Sequence, residues 1–363
     1  MKVKAAVAHN VGDELVIEEV QLMEPGEDEV LIKIVASGVC HTDAESLKGN
    51  GAPFPAVLGH EGSGIVEKVG SSVTTVQPGD HVVLSYSYCG ECSQCLTGHQ
   101  NLCERTVELN FGGKSKDGTH RIHQHDHSVS TFFGQSSFAT YSIANKNNVV
   151  KVDKDVDIAL LGPLGCGIQT GSGTVMNSLK PESGSSIAIF GGGAVGLSAV
   201  MAAKIIGLKH IIVVNIHQSR LELAKELGAT HVLNGKEVDV VKEIKEITDG
   251  GVHYAIETTG ATPVIKQSIH ALRVSGTVAI VGMGGDVTLN FTNDILMEGK
   301  RVVGTVQGDS VPQLHIPRLV QFYKEGKFPF DKLVKFYDFE DINKAFEESK
   351  SGVAIKPILK IAK

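Results

Sequence analysis

Hydrophobic and polar positions along the chain follow two rhythms. Up to about residue 155, short apolar runs alternate with glycine, proline and aspartate: KVKAAVA (2–8), VLIKIVAS (30–37), GIVEKVG (64–70), DHVVLSY (80–86) and SFATYSI (137–143). Runs of this length between turn-forming residues predict the strands of a β-rich, barrel-like domain. From about 156 the apolar runs become nearly continuous, as in SIAIF (186–190), HIIVVN (210–215), AIETT (255–259) and TVAIVGM (277–283). Strands without polar alternation are buried on both faces. Between them lie segments with helical spacing, SRLELAKELG (219–228), VDVVKEIKEIT (238–248) and TPVIKQSIHALR (262–273). Such alternation predicts an α/β domain, a doubly wound parallel sheet covered by helices. After about 308, VPQLHIPRLVQFYKEG and EDINKAFEESKSG read as helices, and KLVKFYDF and PILKI as strands that return to the first domain. The expected division is 1–160 with 305–363 around an inserted 161–304, with a cysteine lobe at 86–106.

Length and composition narrow the reading. At 363 residues, two domains are expected. Hydrophobic residues make up 42% and charged residues 21%, which excludes wholesale disorder. The net charge of −7 offers no basic face to nucleic acid. MKVKAAVAHNVGDELVI lacks the apolar core of a secretion signal. The uncharged stretch Ser183 to Ala203 has about the length of a membrane span, roughly 20 residues. Five glycines interrupt it, so a strand–turn–helix unit is the better reading. A soluble cytoplasmic protein without a membrane partner is expected.

That unit carries Gly191, Gly193 and Gly196 as G-x-G-x-x-G, directly after SIAIF and opening AVGLSAVMAAKIIG. The first glycine permits the tight turn, the second lets a pyrophosphate approach the backbone, and the third lets helix and strand pack closely. The helix N-terminus then faces the phosphates of a dinucleotide. The ribose-reading position, about 20 residues on, is Asn215 rather than an acid. Asparagine can bond a ribose hydroxyl but does not repel a 2′-phosphate, and Arg220 and His217 lie nearby. NAD is the favoured cofactor, with NADP left open.

All six cysteines can be given a metal role. Cys89, Cys92, Cys95 and Cys103 read C-x2-C-x2-C-x7-C, a set suited to a closed tetrahedral zinc site. A bacterial iron–sulfur run would close with C-x3-C-P; here the last gap is seven and Glu104 follows. Cys40 opens CHTD, His60 sits in GHEGSG and Cys166 in PLGCG. Two cysteines and a histidine, with a fourth position open, form a catalytic zinc set. That makes two zinc ions per chain and leaves no cysteine for a disulfide.

These motifs give the chain its resemblance. G59-H-E-x2-G64-x5-G70-x2-V73, the cysteine lobe, GCGIQTG (165–171) and the nucleotide turn stand in the order and spacing of the zinc-dependent alcohol dehydrogenases of the medium-chain dehydrogenase/reductase family. CHTDAESLKGN, PAVLGHEGSGIVEKVG and FFGQSSFATYSI make it most similar to the bacterial aryl-alcohol (benzyl-alcohol) members. The resemblance implies a GroES-like catalytic domain interrupted by a Rossmann domain, with the active site in the cleft between them. It implies reversible hydride transfer between a primary alcohol, aromatic or allylic, and NAD, giving the aldehyde. A homodimer or homotetramer is implied as well.

By the same resemblance, Asp43 bonds the free ring nitrogen of His60, and Glu61 assists ligand exchange at the metal. Thr42 carries the first hydroxyl of a proton relay. Glu45 stands where many relatives end that relay on histidine. His41 replaces a pyrophosphate-binding arginine, and Lys356 matches a basic pyrophosphate contact. Thr170, Val195 and Met283 complete the cofactor set. Ser85, Phe132 and Phe133 shape the substrate pocket, with Met283 beside it. His120, His123, His125 and His127 match no ligand pattern of the family and read as a surface loop. A polyol dehydrogenase or glutathione-dependent formaldehyde dehydrogenase is the sibling alternative. A zinc-free quinone-reductase-like or binding protein is the distant one.

Overall fold

The computed structural model describes residues 1–362. Its backbone divides into two units: residues 1–167, 311–324 and 330–363 form the first, and residues 168–310 and 325–329 the second.

In the first unit, Glu29–Gly38 is the central strand. It pairs antiparallel with Gly62–Val69, Tyr141–Asn145 and Lys356–Lys360. His81–Leu84 and Val149–Val152 extend this sheet on one side and Val334–Asp338 on the other. A second sheet is built on the hairpin Lys2–Ala8 and Val16–Leu22. The core between strands is aliphatic, with Val30, Ile32, Ile34, Leu58, Val82 and Leu84 fully buried against Phe132 and Phe138. The segment 137–143, expected as one strand, enters the sheet only at Tyr141, after a loop that carries Phe132 to Phe138 inward.

In the second unit six strands run parallel: His231–Asn234, His210–Asn215, Ser186–Phe190, Val252–Glu257, Leu272–Ile280 and Arg301–Gly304, in that spatial order. The first strand in sequence, Ser186–Phe190, is buried at every residue. The sheet order reverses on either side of it, which opens a crevice at its C-terminal end. The glycine turn lies there. Helices cover the faces, and each has a local cause. Val240–Thr248, for example, starts where the Asp239 side chain accepts the Lys242 N–H at 3.2 Å, a cap typically contributing about 1 kcal/mol. Val240 and Ile244, one turn apart, are its buried stripe. No helix among the described residues is long and apolar enough to cross a membrane.

Candidate active site and metal centres

Cys40 ends the central strand's connection and caps the short helix His41–Leu47. Its backbone N–H donates to Asp43 Oδ2 at 3.0 Å. Asp43 Oδ1 accepts the Gly59 N–H at 3.1 Å and lies 2.9 Å from His60 Nδ1. This buried carboxylate therefore takes three N–H groups and ties the Cys40 turn to the His60 turn. A carboxylate at Nδ1 keeps the proton there and leaves Nε2 as the free lone pair. His60 Nε2 is buried and has no hydrogen-bond partner.

Ligand atoms of Cys40, His60, Glu61 and Cys166 lie within 4.8 Å of one another. The Cys40 thiol is pulled well below its usual range by a hydrogen bond from Cys166, with Lys356 and His60 adding to the effect. The same bond, with burial, pushes Cys166 up. An orphaned imidazole nitrogen converging with two thiols is the donor chemistry that a divalent zinc requires. Cys40, His41, Ala44 and Leu47 border a groove of about 560 Å³ that runs to Asn343 and Phe346.

Glu61 is fully buried, and its carboxylate accepts from Lys356 Nζ at 2.8 and 2.9 Å and from the Gly167 N–H at 3.3 Å. Burial pushes the Glu61 carboxyl up to about 7, against the pull of Lys356. Lys356 Nζ also donates to Val39 O at 3.2 Å. This corrects the expected pyrophosphate contact: the ammonium is turned inward and its donors are engaged by Glu61 and Val39. Glu45 bonds Lys48, at 2.6 Å, and Asn50, and these hold its carboxyl below the usual range. Thr42 Oγ1 lies 3.9 Å from Cys40 Sγ. His41 is 74% exposed, with Nε2 3.4 Å from Glu45.

Phe132 and Phe133 are buried against His60. The Phe133 ring stacks on the imidazole at a centroid distance of 4.6 Å, and Phe132 meets it edge-on at 5.5 Å. Phe111 packs edge-on to both, at 5.8 and 5.1 Å. Sequence reasoning missed Phe111, because nothing marks the end of a helix as an aromatic partner. Ser85 is fully buried and donates its hydroxyl to Gly165 O at 2.8 Å, so it acts as a tie between loops rather than as open space.

In the cysteine lobe, the four thiols lie within 4.8 Å of one another. Cys89 Sγ and Cys95 Sγ are 3.8 Å apart. That matches the edge of a tetrahedron with Zn–S arms of about 2.3 Å, which is about 3.8 Å. The backbone N–H groups of Glu91 and Cys92 point at Cys89 Sγ, at 3.4 and 3.3 Å. Backbone donors pull the Cys92 thiol down to about 6. Burial pushes the Cys95 thiol up to about 12 and raises Cys103 as well.

In the second unit the three glycines differ as their roles require. Gly191 has φ +110°, and a Cβ there would meet Thr258 Oγ1 at 2.2 Å; one at Gly196 would meet Gly191 O at 1.9 Å. A Cβ at Gly193 would meet nothing within 4 Å, which leaves the backbone open to approach. No side chain caps the helix Ala194–Ile206 that follows. Asn215 spends Oδ1 on the His217 N–H at 2.9 Å and turns its Nδ2 toward Gly192. Arg220 is buried beside the same turn, and burial lowers its pKa. Val195 carries the carbonyl against which Gly171 packs, and Thr170 is buried one residue earlier. Met283 is 67% exposed.

The four clustered histidines lie on and beside the small hairpin Ile122–Gln124 and His127–Val129. His125 and His127 are exposed, and the ring of His123 reaches only His120 O, at 3.2 Å. Among the described residues only two clusters could hold a metal, and neither includes these histidines. Changing all four to alanine should leave the zinc content measured by atomic absorption unchanged.

Comparison with known proteins agrees with this geometry. Residues 26–154 match the alcohol dehydrogenase GroES-like domain, and residues 194–325 match the zinc-binding dehydrogenase domain. Geraniol dehydrogenase of Castellaniella defragrans is 46% identical over 361 residues, covering 98% of this chain and 97% of its own. The structure of benzyl alcohol dehydrogenase from Acinetobacter calcoaceticus superposes with a TM-score of 0.96 at 50% identity, covering 100% of both chains. An alcohol dehydrogenase zinc-binding domain protein from Burkholderia ambifaria gives 0.97 at 51% identity, again covering 100% of both. The chain belongs to the zinc-dependent alcohol dehydrogenases of the medium-chain dehydrogenase/reductase family. It is an oxidoreductase with a GroES-like domain and a Rossmann-type domain.

Proposed function

We propose that the protein interconverts primary aromatic or allylic alcohols and their aldehydes, using NAD in preference to NADP and two zinc ions per chain. The observation that carries this reading is the convergence of Cys40, His60 and Cys166, with the free His60 Nε2 beside a wall of phenylalanine rings. The geraniol and benzyl alcohol dehydrogenases among its relatives support the substrate class.

Bound zinc would supply a Lewis acid for the alcohol oxygen, and bound NAD the hydride acceptor. The chain's own residues do the rest. Cys40, His60 and Cys166 would hold the catalytic metal, and Cys89, Cys92, Cys95 and Cys103 the structural one. Asp43 keeps the proton on His60 Nδ1. Thr42, beside Cys40, takes the hydroxyl proton and passes it outward. Phe132 and Phe133 present an apolar surface that orients a ring and excludes water, with offset aromatic contacts contributing roughly 0.5–1.5 kcal/mol. Gly191, Gly193 and Gly196 cradle the pyrophosphate, and Asn215 reads the ribose.

Asp43→Asn replaces a proton-holding acceptor by an amide that can also donate. It should lower catalytic-zinc affinity and kcat by roughly 10–100-fold, measured by chelator competition and steady-state rates. A kcat/KM panel over benzyl alcohol, an allylic alcohol, a polyol, S-(hydroxymethyl)glutathione and ethanol, with NAD⁺ and NADP⁺, tests the whole reading. Benzyl and allylic alcohols with NAD⁺ should lead, and a preference for ethanol or for NADP⁺ would contradict it.

We further infer a homodimer or homotetramer in the cytoplasm. The strand Arg301–Gly304 is an open sheet edge with all four residues exposed, and Phe291, Leu296 and Met297 in the same unit are 72%, 72% and 73% exposed. Six cysteines engaged as metal ligands suit a reducing compartment.

A further inference from the structure

We propose that Gln135, acting through Ser85, is a positioning residue that fixes the His60 and Cys166 loops relative to each other. The inference rests on the reading that Cys40, His60 and Cys166 hold a metal.

The Gln135 side chain is 1% exposed. Its Oε1 accepts the Gly62 N–H at 3.2 Å, and its Nε2 donates to His60 O at 3.0 Å and to Ser85 O at 3.1 Å. The orientation of the amide is fixed by these partners, because the flipped form would set its oxygen against two carbonyl oxygens. His60 and Gly62 flank Glu61, so a single amide grips both ends of the ligand turn. Ser85 carries the connection onward, since its hydroxyl bonds the carbonyl of Gly165, the residue before Cys166, at 2.8 Å. Two buried side chains thus span the distance between two ligand loops that are over a hundred residues apart in sequence.

Beside this network, Asn148, Ser136 and the backbone of the same loop hold the aromatic wall. Phe133 sits at φ +52° and Ser136 at φ +53°. A bulky side chain in the left-handed region is an outlier, and it persists only where the surroundings over-determine it. The surroundings here are polar and specific. The Gln135 N–H donates to Phe132 O at 3.1 Å, and Asn148 Nδ2 donates to Phe133 O at 2.9 Å and Ser85 O at 3.2 Å. The Ser136 hydroxyl accepts the Phe132 N–H at 2.9 Å and donates to Val57 O at 2.8 Å. The stacked geometry of Phe133 on His60 follows from this frame. Glutamine alone among the common side chains offers two donors and an acceptor on an arm of this length.

The test uses the full-length enzyme with both zincs bound. Gln135→Met keeps the length and removes the three side-chain hydrogen bonds. Gln135→Glu keeps the acceptor for Gly62 and sets a carboxylate against two carbonyl oxygens. The readouts are zinc per chain during timed exposure to a chelator, the visible absorption of the cobalt(II)-substituted protein, and KM and kcat for benzyl alcohol. Both variants should keep the cysteine-lobe zinc and lose the other about 10-fold faster than wild type, within the range of such supporting contacts. The cobalt bands should shift, and kcat for benzyl alcohol should fall by a larger factor than KM changes. Ser85→Ala cuts the link at its Gly165 end and should also speed loss of the same zinc, which keeps the test open if neither Gln135 variant folds. Wild-type zinc retention with an unchanged cobalt spectrum in Gln135→Met overturns the proposal, as does the same result in Ser85→Ala if the Gln135 variants do not fold. A wild-type enzyme that holds zinc only in the cysteine lobe overturns the underlying reading of the site, and the proposal with it.

Discussion

His60→Ala should cost roughly 10³–10⁴-fold in kcat/KM for benzyl alcohol while leaving the protein folded. The substitution removes the one neutral ligand of the Cys40, His60 and Cys166 set, and with it the Lewis acid. Charge stabilisation by such a metal amounts to several kcal/mol, and about 5 kcal/mol corresponds to between three and four powers of ten in rate. Zinc should fall from two ions per chain to one. Stability should change little by comparison. Asp43 loses one of its three N–H partners but keeps those of Cys40 and Gly59, so the cost of the unsatisfied oxygen is of order 1–3 kcal/mol. Metal analysis, circular dichroism and steady-state kinetics on one preparation check all three statements.

Cys103→Ser should give the opposite pattern. The cysteine lobe has almost no apolar core: the cysteines themselves, Leu109 and the partly buried Tyr88 are its whole cluster. Its helices, Ser93–Leu96 and Gln100–Leu102, are too short to stand alone. Zinc held by the four cysteines would therefore serve as its core. Metal binding contributes about 10–16 kcal/mol to the folding of isolated zinc-finger peptides. Only part of that would be lost here, since the lobe is anchored at both ends. A loss of about 4 kcal/mol lowers Tm by roughly 10 °C in a domain of this size. One zinc should again be lost, but catalysis in the surviving folded fraction should persist. Calorimetry beside kinetics separates the two sites: His60 variants lose rate with the smaller fall in Tm, and Cys103 variants lose more Tm and keep rate.

Much of this organisation is legible in the sequence, and the reasons are local. SIAIF and HIIVVN become strands at the residues where the apolar runs stand, because a strand buried on both faces has no room for polar residues. The glycine turn is legible because each glycine answers a separate steric demand. The four lobe cysteines are legible by spacing alone. In the second unit two strands were missed. His231–Asn234 is only half buried along its length, and Arg301–Gly304 is an exposed edge, so neither carries a periodic apolar signal.

The catalytic set is different in kind. Cys40, His60 and Cys166 are brought together by tertiary structure, and in the sequence only their residue types and glycine-rich motifs join them, with the resemblance added after. The same distance in sequence explains the Lys356 correction. Lys356 is near no acid in sequence, so its burial against Glu61 was invisible, and the resemblance supplied a phosphate partner instead. Gln135 has no signal at all. Its partners are backbone carbonyls of His60 and Ser85, and a carbonyl has no identity in a sequence.

Alcohol oxidation should depend on the metal held by Cys40, His60 and Cys166. The most direct test is the rate of NAD⁺ reduction with benzyl alcohol, followed as zinc is stripped stepwise from a two-zinc preparation. The rate should fall in proportion to the loss of one zinc, with the cysteine lobe's metal still in place, and return when zinc is restored. A rate that persists in the zinc-free protein, or that follows only the lobe's metal, would contradict it.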